Sequence, residues 1–343
     1  MSSVIQLHPA SATPIYKQIV RQVEQAVRAG TLPPDTLLPS MNALAADYGI
    51  SRETVKKAYA ILRDRGLVEP RQGKGFYVLR TGRSAKTSVL VIFDKLSVYK
   101  QIIFSSFSET LGPDAEITIL THDQNLDLFE YHLDNCLDRY DHYLVTPHFP
   151  LRAEAQKRAL KLLRRIPNRK LILLDRDMPG LPGHYGSIYQ DFSNDAYDAL
   201  RSVRDQLASC RAIHVITLPE SLYGGMIAKA VGRFGADYGI DVCYARTVPR
   251  TLRKGEVFLL LNSQLDSALV DLSRAADVQG LRIGEDIFVI SYNEFPLNEV
   301  VLGGLTTLST DFSWMGRRAA NMILSGIPAK ERCPFRLTRR STF

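Results

Sequence analysis

The chain has 343 residues, of which 45% are hydrophobic and 23% charged, with four cysteines and a formal net charge of +7. That balance excludes a disordered chain and a disulfide-stapled miniature, and no apolar run is long enough to span a bilayer. All the excess charge lies in residues 1–86, which hold 13 Lys and Arg against 6 Asp and Glu, while residues 87–343 hold 30 of each. A basic module joined to a neutral one points to a polyanionic partner for the first.

The N-terminus has no charged segment followed by an apolar one, so no secretory signal is read there. Cys136, Cys210, Cys243 and Cys333 form no C-x-x-C pair. A cytoplasmic chain with reduced thiols is expected.

In "PIYKQIVRQVEQAVRAG" the residues Ile15, Ile19, Val23 and Val27 recur every four positions, which predicts a helix opened by Pro14 and closed by Gly30. "LPSMNALAADYG" predicts a short second helix with Ser40 as N-cap and Gly49 as C-terminal stop. In "ISRETVKKAYAILRDRG" Ser51 is the N-cap and Val55, Ala58, Tyr59 and Leu62 form the buried stripe. "LVEPRQGKGFYVL" reads as two short strands around Gly73, Lys74 and Gly75. This order is that of a winged helix-turn-helix, in which the N-terminal residues of the second helix of the pair meet base edges in the major groove. Ser51, Arg52, Thr54 and Lys56 crowd that leading turn and a half. Arg52 is the candidate for bidentate reading of a guanine, and Lys74 at the hairpin tip can reach the backbone or the minor groove. Periodicity alone would fit any three-helix module with a charged outer face equally well.

The wording of the segment closely resembles the GntR family of bacterial transcription regulators. The resemblance rests on Leu38-Pro39-Ser40, Leu44-Ala45, Gly49-Ile50-Ser51-Arg52, Thr54-Val55, Leu62, Gly66-Leu67-Val68 and Gln72-Gly73-x-Gly75. It implies DNA contacts from Arg52, Lys56 and the wing tip at Gln72 and Gly73. Two positions depart from the family pattern: Asn42 and Lys56 stand where arginine is usual. Lysine cannot make the planar fork of arginine, so Lys56 is expected on phosphate.

A polar, basic linker closes this first domain, placed at residues 1–80, with the linker at 81–87. From residue 88 to 329, apolar runs at 88–94, 116–121, 142–146, 170–175, 187–190, 212–217, 257–262 and 286–292 alternate with helical patterns, the last near 312–325. Continuous apolar strands between helices imply parallel sheets covered on both faces, here in two lobes. The fold class is therefore α/β, and ligands bind beyond the carboxyl ends of the strands. Asp94, Asp175, Asn262 and Asn293 end strands, and Asp191 follows a short one. Each is either a turn and cap residue or a ligand contact; together they suit a sugar. Tyr99 or Phe104 could stack on its ring, although packing duty is the commoner role for an aromatic. His148, after "VTP", faces the expected cleft mouth. Residues 330–343 read as a basic, solvated C-terminal tail.

This second region resembles the LacI-type effector domain, with its two-lobed periplasmic-binding-protein-like fold. The resemblance is carried by "KLILLDRDM", "YGSIYQDFSNDAYDAL" and "GLRIGEDIFVISYNEFPL", and by the Leu-Thr-Thr, Met-Gly and Ala-Ala signature within Leu305 to Ala320. It implies ligand contacts from Asp191, Asn262, Asn293 and Glu294. Asn293 stands where the family usually has aspartate. Between His214 and Arg233 no arginine occurs, although the family commonly holds sugar hydroxyls from that helix. A sugar-responsive regulator, dimeric on a double-stranded DNA operator, is the expectation, with an arabinose- or fucose-like ligand. The alternatives are a sugar-binding protein or a sugar-modifying enzyme without a role at DNA. No P-loop, G-x-S-x-G elbow, metal-ligand spacing or other catalytic constellation is present in the sequence, so no enzyme activity, cofactor, metal or membrane partner is expected.

Overall fold

The computed structural model describes residues 5–8, 11, 13–28, 30–71, 73–79, 86–217, 221–261 and 267–343. The chain divides into two compact units between Thr87 and Ser88.

The first unit comprises α1 (Ile15–Arg28), α2 (Met41–Tyr48), α3 (Arg52–Asp64), β1 (Val68–Arg71) and β2 (Gly75–Val78). Ser40 Oγ accepts from Ala43 N at the head of α2, and Gly49 closes that helix in the left-handed conformation. Ser51 Oγ accepts from Thr54 N at the head of α3. Ile19, Val23, Leu44, Val55, Ala58, Tyr59 and Leu62 pack into one core with Leu38 and Val78. The stripe expected on α3 is the one buried. β1 and β2 pair antiparallel, and a bridge from Leu37 to Tyr77 adds a short third strand that the sequence reading did not include. Leu38 N donates to Phe76 O and Val78 N to Thr36 O, so the wing is anchored to the chain entering α2.

The second unit has two lobes. The first contains β3 (Thr87–Phe93), α4 (Val98–Leu111), β4 (Ala115–Thr121), α5 (Leu126–Cys136), β5 (His142–Val145), α6 (Ala153–Leu163), β6 (Leu171–Asp175) and β7 (Gly186–Tyr189). The chain then builds α7 (Asp195–Arg201), α8 (Arg204–Leu207), β8 (Ala212–Ile216), α9 (Gly224–Tyr238), β9 (Val242–Ala245), β10 (Glu256–Leu260), α10 (Ser267–Val278), β11 (Phe288–Tyr292) and β12 (Thr306–Thr310) in the second. It returns to the first lobe with α11 (Phe312–Ser325) and β13 (Lys330–Arg332), and ends in the second with β14 (Phe335–Thr338). The sheet orders are β13-β7-β6-β5-β3-β4 and β14-β12-β11-β10-β8-β9. β5, β6, β8, β10 and β11 pair parallel with their neighbours, and their buried runs of Val, Leu and Ile follow from helices covering both faces.

Three expectations are corrected. Residues 330–343 are not a solvated tail. β13 pairs with β7 and β14 pairs antiparallel with β12, so the segment extends both sheets. Thr342 and Phe343 are buried, and Phe343 joins the core of the second lobe. The basic residues look solvated in sequence because their carboxylate partners are distant: Arg332 pairs with Asp195 and Asp198, and Arg340 with Glu294. The single helix expected over 194–208 is α7 and α8, broken at Ser202 and Val203. β9 and β12 were not anticipated. "TTLST" of β12 looks like a polar loop, yet it is buried throughout because its hydroxyls have partners: Thr306 Oγ1 donates to Arg340 O at 3.2 Å, Ser309 Oγ to Thr310 O at 2.9 Å, Thr307 Oγ1 to Glu294 and Thr310 Oγ1 to Gln190.

Candidate functional site

In the first unit, Ser51 and Arg52 stand exposed at the N-terminus of α3, where uncompensated N–H groups favour phosphate. Ser51 Oγ and Thr54 Oγ1 lie 2.8 Å apart, so both hydroxyls serve the cap. Arg52 makes no ion pair among the described residues. Lys56 Nζ lies 3.4 Å from Glu53 Oε1, with both side chains largely exposed, a contact of small energetic weight. Asn42 is exposed in the first turn of α2. Gly73 has φ +72°, which the hairpin tip requires, and Lys74 is exposed beside it. Gln72 lies outside the described residues. Two further cations are already engaged: Arg71 binds Asp35 at 2.5 Å and Glu69 at 3.0 Å, and Lys57 Nζ sits 4.1 Å from the Tyr16 ring centroid. Arg52 at the head of α3, Lys74 at the wing tip, and Lys17 and Arg21 on α1 are exposed and make no ion pair among the described residues.

In the second unit a cleft of about 210 Å³ opens between the lobes. Strand ends β3, β6 and β11 deliver Asp94, Asp175 and Asn293 to it, and Tyr99, Lys100, His148, Gln190, Phe192, Tyr223, Tyr292 and Phe312 also line it. Asp175 and Asn293 both have φ +73°, a left-handed conformation that Asp and Asn tolerate better than other side chains. The turn after each strand directs that side chain into the cleft.

Asp175 is the hub of the first-lobe wall. Its Oδ2 accepts from Lys100 Nζ at 2.5 Å and from His148 Nε2 at 2.9 Å, and its Oδ1 accepts from the Gln190 amide. Lys100 Nζ also lies 3.3 Å from Asp94 Oδ1, which accepts from Thr146 Oγ1 at 3.1 Å. Lys100 is only 4% exposed. Burial works to raise the Asp175 pKa, but Lys100 and then His148 overcome it and hold the carboxyl well below the usual range. For Asp94 the balance is the same: burial raises, Lys100 and His148 lower, and the net shift is downward. Burial lowers the Lys100 pKa, while Asp175 and Asp94 raise it more, so it stays charged. The wall is thus ionised and internally satisfied.

Gln190 directly follows β7 at one crossing between the lobes. Its Oε1 accepts at 2.7 Å from Thr310 Oγ1 at a second crossing, so one side chain joins the ionised wall to the hinge. The third crossing is stitched to the others by Cys333 N donating to Tyr189 O at 2.8 Å and Asp311 N to Pro334 O at 2.9 Å. The opposite wall is aromatic. Phe192 and Tyr223 stack at 4.0 Å and His148 meets Tyr223 edge-on at 5.1 Å, while on the first-lobe side Tyr99 packs on Phe312 at 5.2 Å.

Of the residues expected from sequence, Asp94, Tyr99, His148 and Asn293 are brought together in this cleft. Asp191 is not among its lining; its carboxylate accepts from Ser193 N and the Asn194 amide and frames the head of α7. Glu294 forms a two-point pair with Arg340 at 3.0 and 3.1 Å and lines a separate groove. Asn262 lies outside the described residues. Phe104 packs in the first-lobe core. Sequence reasoning missed Lys100, Gln190, Tyr223 and Tyr292 as cleft residues. Only Lys100 carried a signal, as a lysine in phase with Ile103, Phe107 and Leu111 on the buried face of α4. Among the described residues no three His, Cys, Asp or Glu side chains gather as metal ligands, and no helix is long and apolar enough to cross a membrane.

Comparison with known proteins agrees with this division into two domains and with the fold of each. Residues 15–78 match the model of the bacterial regulatory proteins of the gntR family, and residues 259–343 match that of a periplasmic binding protein-like domain. The HTH-type transcriptional repressor YtrA of Bacillus subtilis is 37% identical over 87 residues, 25% of this chain and 65% of that protein. Two further relatives are matched over 38% and 44% of their length, so the chain spans less than two thirds of these curated relatives. The trehalose repressor from Escherichia coli superposes with TM-score 0.58 at 16% identity, covering 74% of this chain and 100% of that one. A periplasmic binding protein/LacI transcriptional regulator from Alkaliphilus metalliredigens, solved in complex with D-xylulofuranose, superposes with TM-score 0.52 at 14% identity over 75% of this chain and 98% of that one. Residues 15–78 therefore match a gntR-type domain, and the second unit has the two-lobed fold shared with the LacI-type structures.

Proposed function

Starting from a GntR-type helix-turn-helix joined to a LacI-type effector fold, we propose that this chain is a DNA-binding transcription regulator whose operator affinity is set by a small sugar held between the lobes of its second unit. The observation that carries the reading is the exposed head of α3, where Arg52 and Lys56 project from a capped helix N-terminus with the stripe behind them buried. Arg52 reads a base edge, Lys56 and Lys74 contact phosphate, and Asn42, Ser51, Thr54 and the Gln72–Gly73 wing tip complete the footprint. Two copies of the chain bind a palindromic operator, since a dimer doubles the contacts.

The ligand acts by preferring one arrangement of the lobes. It can change operator affinity only by its differential affinity for the two arrangements, about 1–3 kcal/mol in typical cases. Asp94, Tyr99, His148 and Asn293 are the cleft residues assigned to ligand, and an arabinose- or fucose-like sugar is the proposed class. The sugar found in the Alkaliphilus protein of the same fold supports that class.

A gel-shift titration with the DNA upstream of the chain's own coding region, with and without such sugars, tests the reading. Salt-dependent, saturable binding that a sugar alters supports it. A chain that binds no duplex, or that turns a sugar over, is one of the two alternatives.

A further inference from the structure

The two walls of the cleft differ in how their polar groups are satisfied. On the first-lobe side Asp94, Lys100, His148, Asp175 and Gln190 close on one another. On the second-lobe side the Tyr223 hydroxyl, the Tyr292 hydroxyl and Asn293 Oδ1 are buried, and none has a hydrogen-bond partner among the described residues. The three residues are 8%, 4% and 8% exposed, and all three line the cleft. Tyr292 and Asn293 are consecutive at the end of β11, and Tyr223 immediately precedes α9. The guanidinium carbon of Arg176 lies 5.7 Å from the Tyr223 ring centroid; it donates to Pro147 O at 3.3 Å and Gln156 Oε1 at 2.9 Å, and none of its N–H groups reaches the Tyr223 hydroxyl with hydrogen-bond geometry. Buried polar groups are almost always paired, so three unpaired ones facing one cavity mark where a ligand completes the bonding.

The chemistry of the three groups restricts that ligand. Asn293 Oδ1 only accepts, so the ligand must donate to it; each tyrosine hydroxyl can donate and accept. Sugar hydroxyls do both, whereas a fully ionised phosphate or carboxylate only accepts. The basic groups of the lining are Lys100, already held by two carboxylates, His148, held by Asp175, and Lys95, exposed at the rim. The ionised Asp94 and Asp175 across the cleft oppose an anion. Stacked Phe192 and Tyr223 offer a flat face to the C–H side of a ring. At about 210 Å³ the cleft falls below the 300–1,000 Å³ of pockets built for larger ligands.

We infer that Tyr223, Tyr292 and Asn293 are the specificity-determining contacts of the cleft, and that they take hydroxyls of a neutral polyhydroxylated ring of monosaccharide size rather than a phosphorylated sugar. This deepens the regulator reading by naming the ligand chemistry of its effector site. It does not depend on DNA binding.

The experiment uses the full chain and its Tyr223→Phe and Tyr292→Phe variants, followed by thermal unfolding of the second unit through Trp314, the single tryptophan. Without sugar, removing an unpaired buried hydroxyl raises the unfolding midpoint by about 2–4 °C. With L-arabinose, L-fucose, D-xylose or D-galactose, whichever stabilise the parent, the half-saturating concentration rises at least about tenfold in the variants. Variants that unfold below the parent without sugar overturn the inference, because their hydroxyls were paired. Variants that keep the parent's half-saturation also overturn it. A parent stabilised by D-glucose 6-phosphate and by no neutral sugar, or by none of these compounds, overturns the ligand class. Failure of the gel shift with success here removes the regulator reading and leaves this one standing.

Discussion

Replacing Asp175 by Asn tests the ionised wall most sharply. Asn keeps the side-chain shape and is the non-glycine residue best suited to the left-handed backbone at φ +73°, so the change isolates the charge. It leaves Lys100, 4% exposed, with only Asp94 at 3.3 Å and removes the charge that His148 and Gln190 address. Breaking one partner of a buried ion pair costs about 3–5 kcal/mol. For a unit of this size that lowers the unfolding midpoint by roughly 6–20 °C, read from Trp314 fluorescence. The pH dependence has a fixed sign. The native Asp175 pKa is depressed, so its stabilisation is present above the unfolded value of about 3.9 and is lost as pH falls toward the native value. The gap between parent and variant is therefore full above about pH 5 and narrows below about pH 4. Adding Lys100→Met to the variant costs less than the two single losses combined, by at least about 1 kcal/mol. A variant within about 1 kcal/mol of the parent at pH 7, or a gap that does not change between pH 5 and 3, refutes the reasoning.

Gln190→Leu removes the bonds to Asp175 and Thr310 without losing volume; it lowers stability by about 1–3 kcal/mol and speeds amide exchange at residues 310–312, measured by deuterium uptake. Phe343→Ala opens the second-lobe core and costs about 3–5 kcal/mol in urea denaturation, whereas a solvated tail would give no change. Gly316→Ala places a methyl 2.2 Å from Ile103 O and 3.0 Å from Phe107 N, where α11 crosses α4, and lowers the unfolding midpoint by several degrees, about 1–3 kcal/mol in stability, in the same scan.

The parallel strands were legible because runs such as "VLVIF" and "LILLD" are apolar on both faces, and the ends of β3, β6 and β11 predicted where polar side chains would gather. β12 was not legible, because its buried hydroxyls are satisfied by Gln190, Glu294 and Arg340, which are remote in sequence. The C-terminal strands were hidden for the same reason: lysine and arginine read as solvated until Asp195, Asp198 and Glu294 are placed beside them. On α3 the division between buried stripe and exposed cations needed only the 3.6-residue period, so that face could be read directly. Tyr223 and Tyr292 carried no signal at all. A tyrosine at a strand end or a helix head is ordinary, and only the tertiary structure reveals an unpaired hydroxyl.

The footprint assigned to α3 is tested most directly by the operator affinity of an Arg52→Ala, Lys56→Ala double variant at physiological salt, with folding checked by circular dichroism. Loss of a bidentate base contact worth about 1–3 kcal/mol together with a phosphate contact weakens binding at least about tenfold and flattens the salt dependence by about one unit. A folded double variant that holds the same DNA as tightly as the parent, with the same salt dependence, contradicts it.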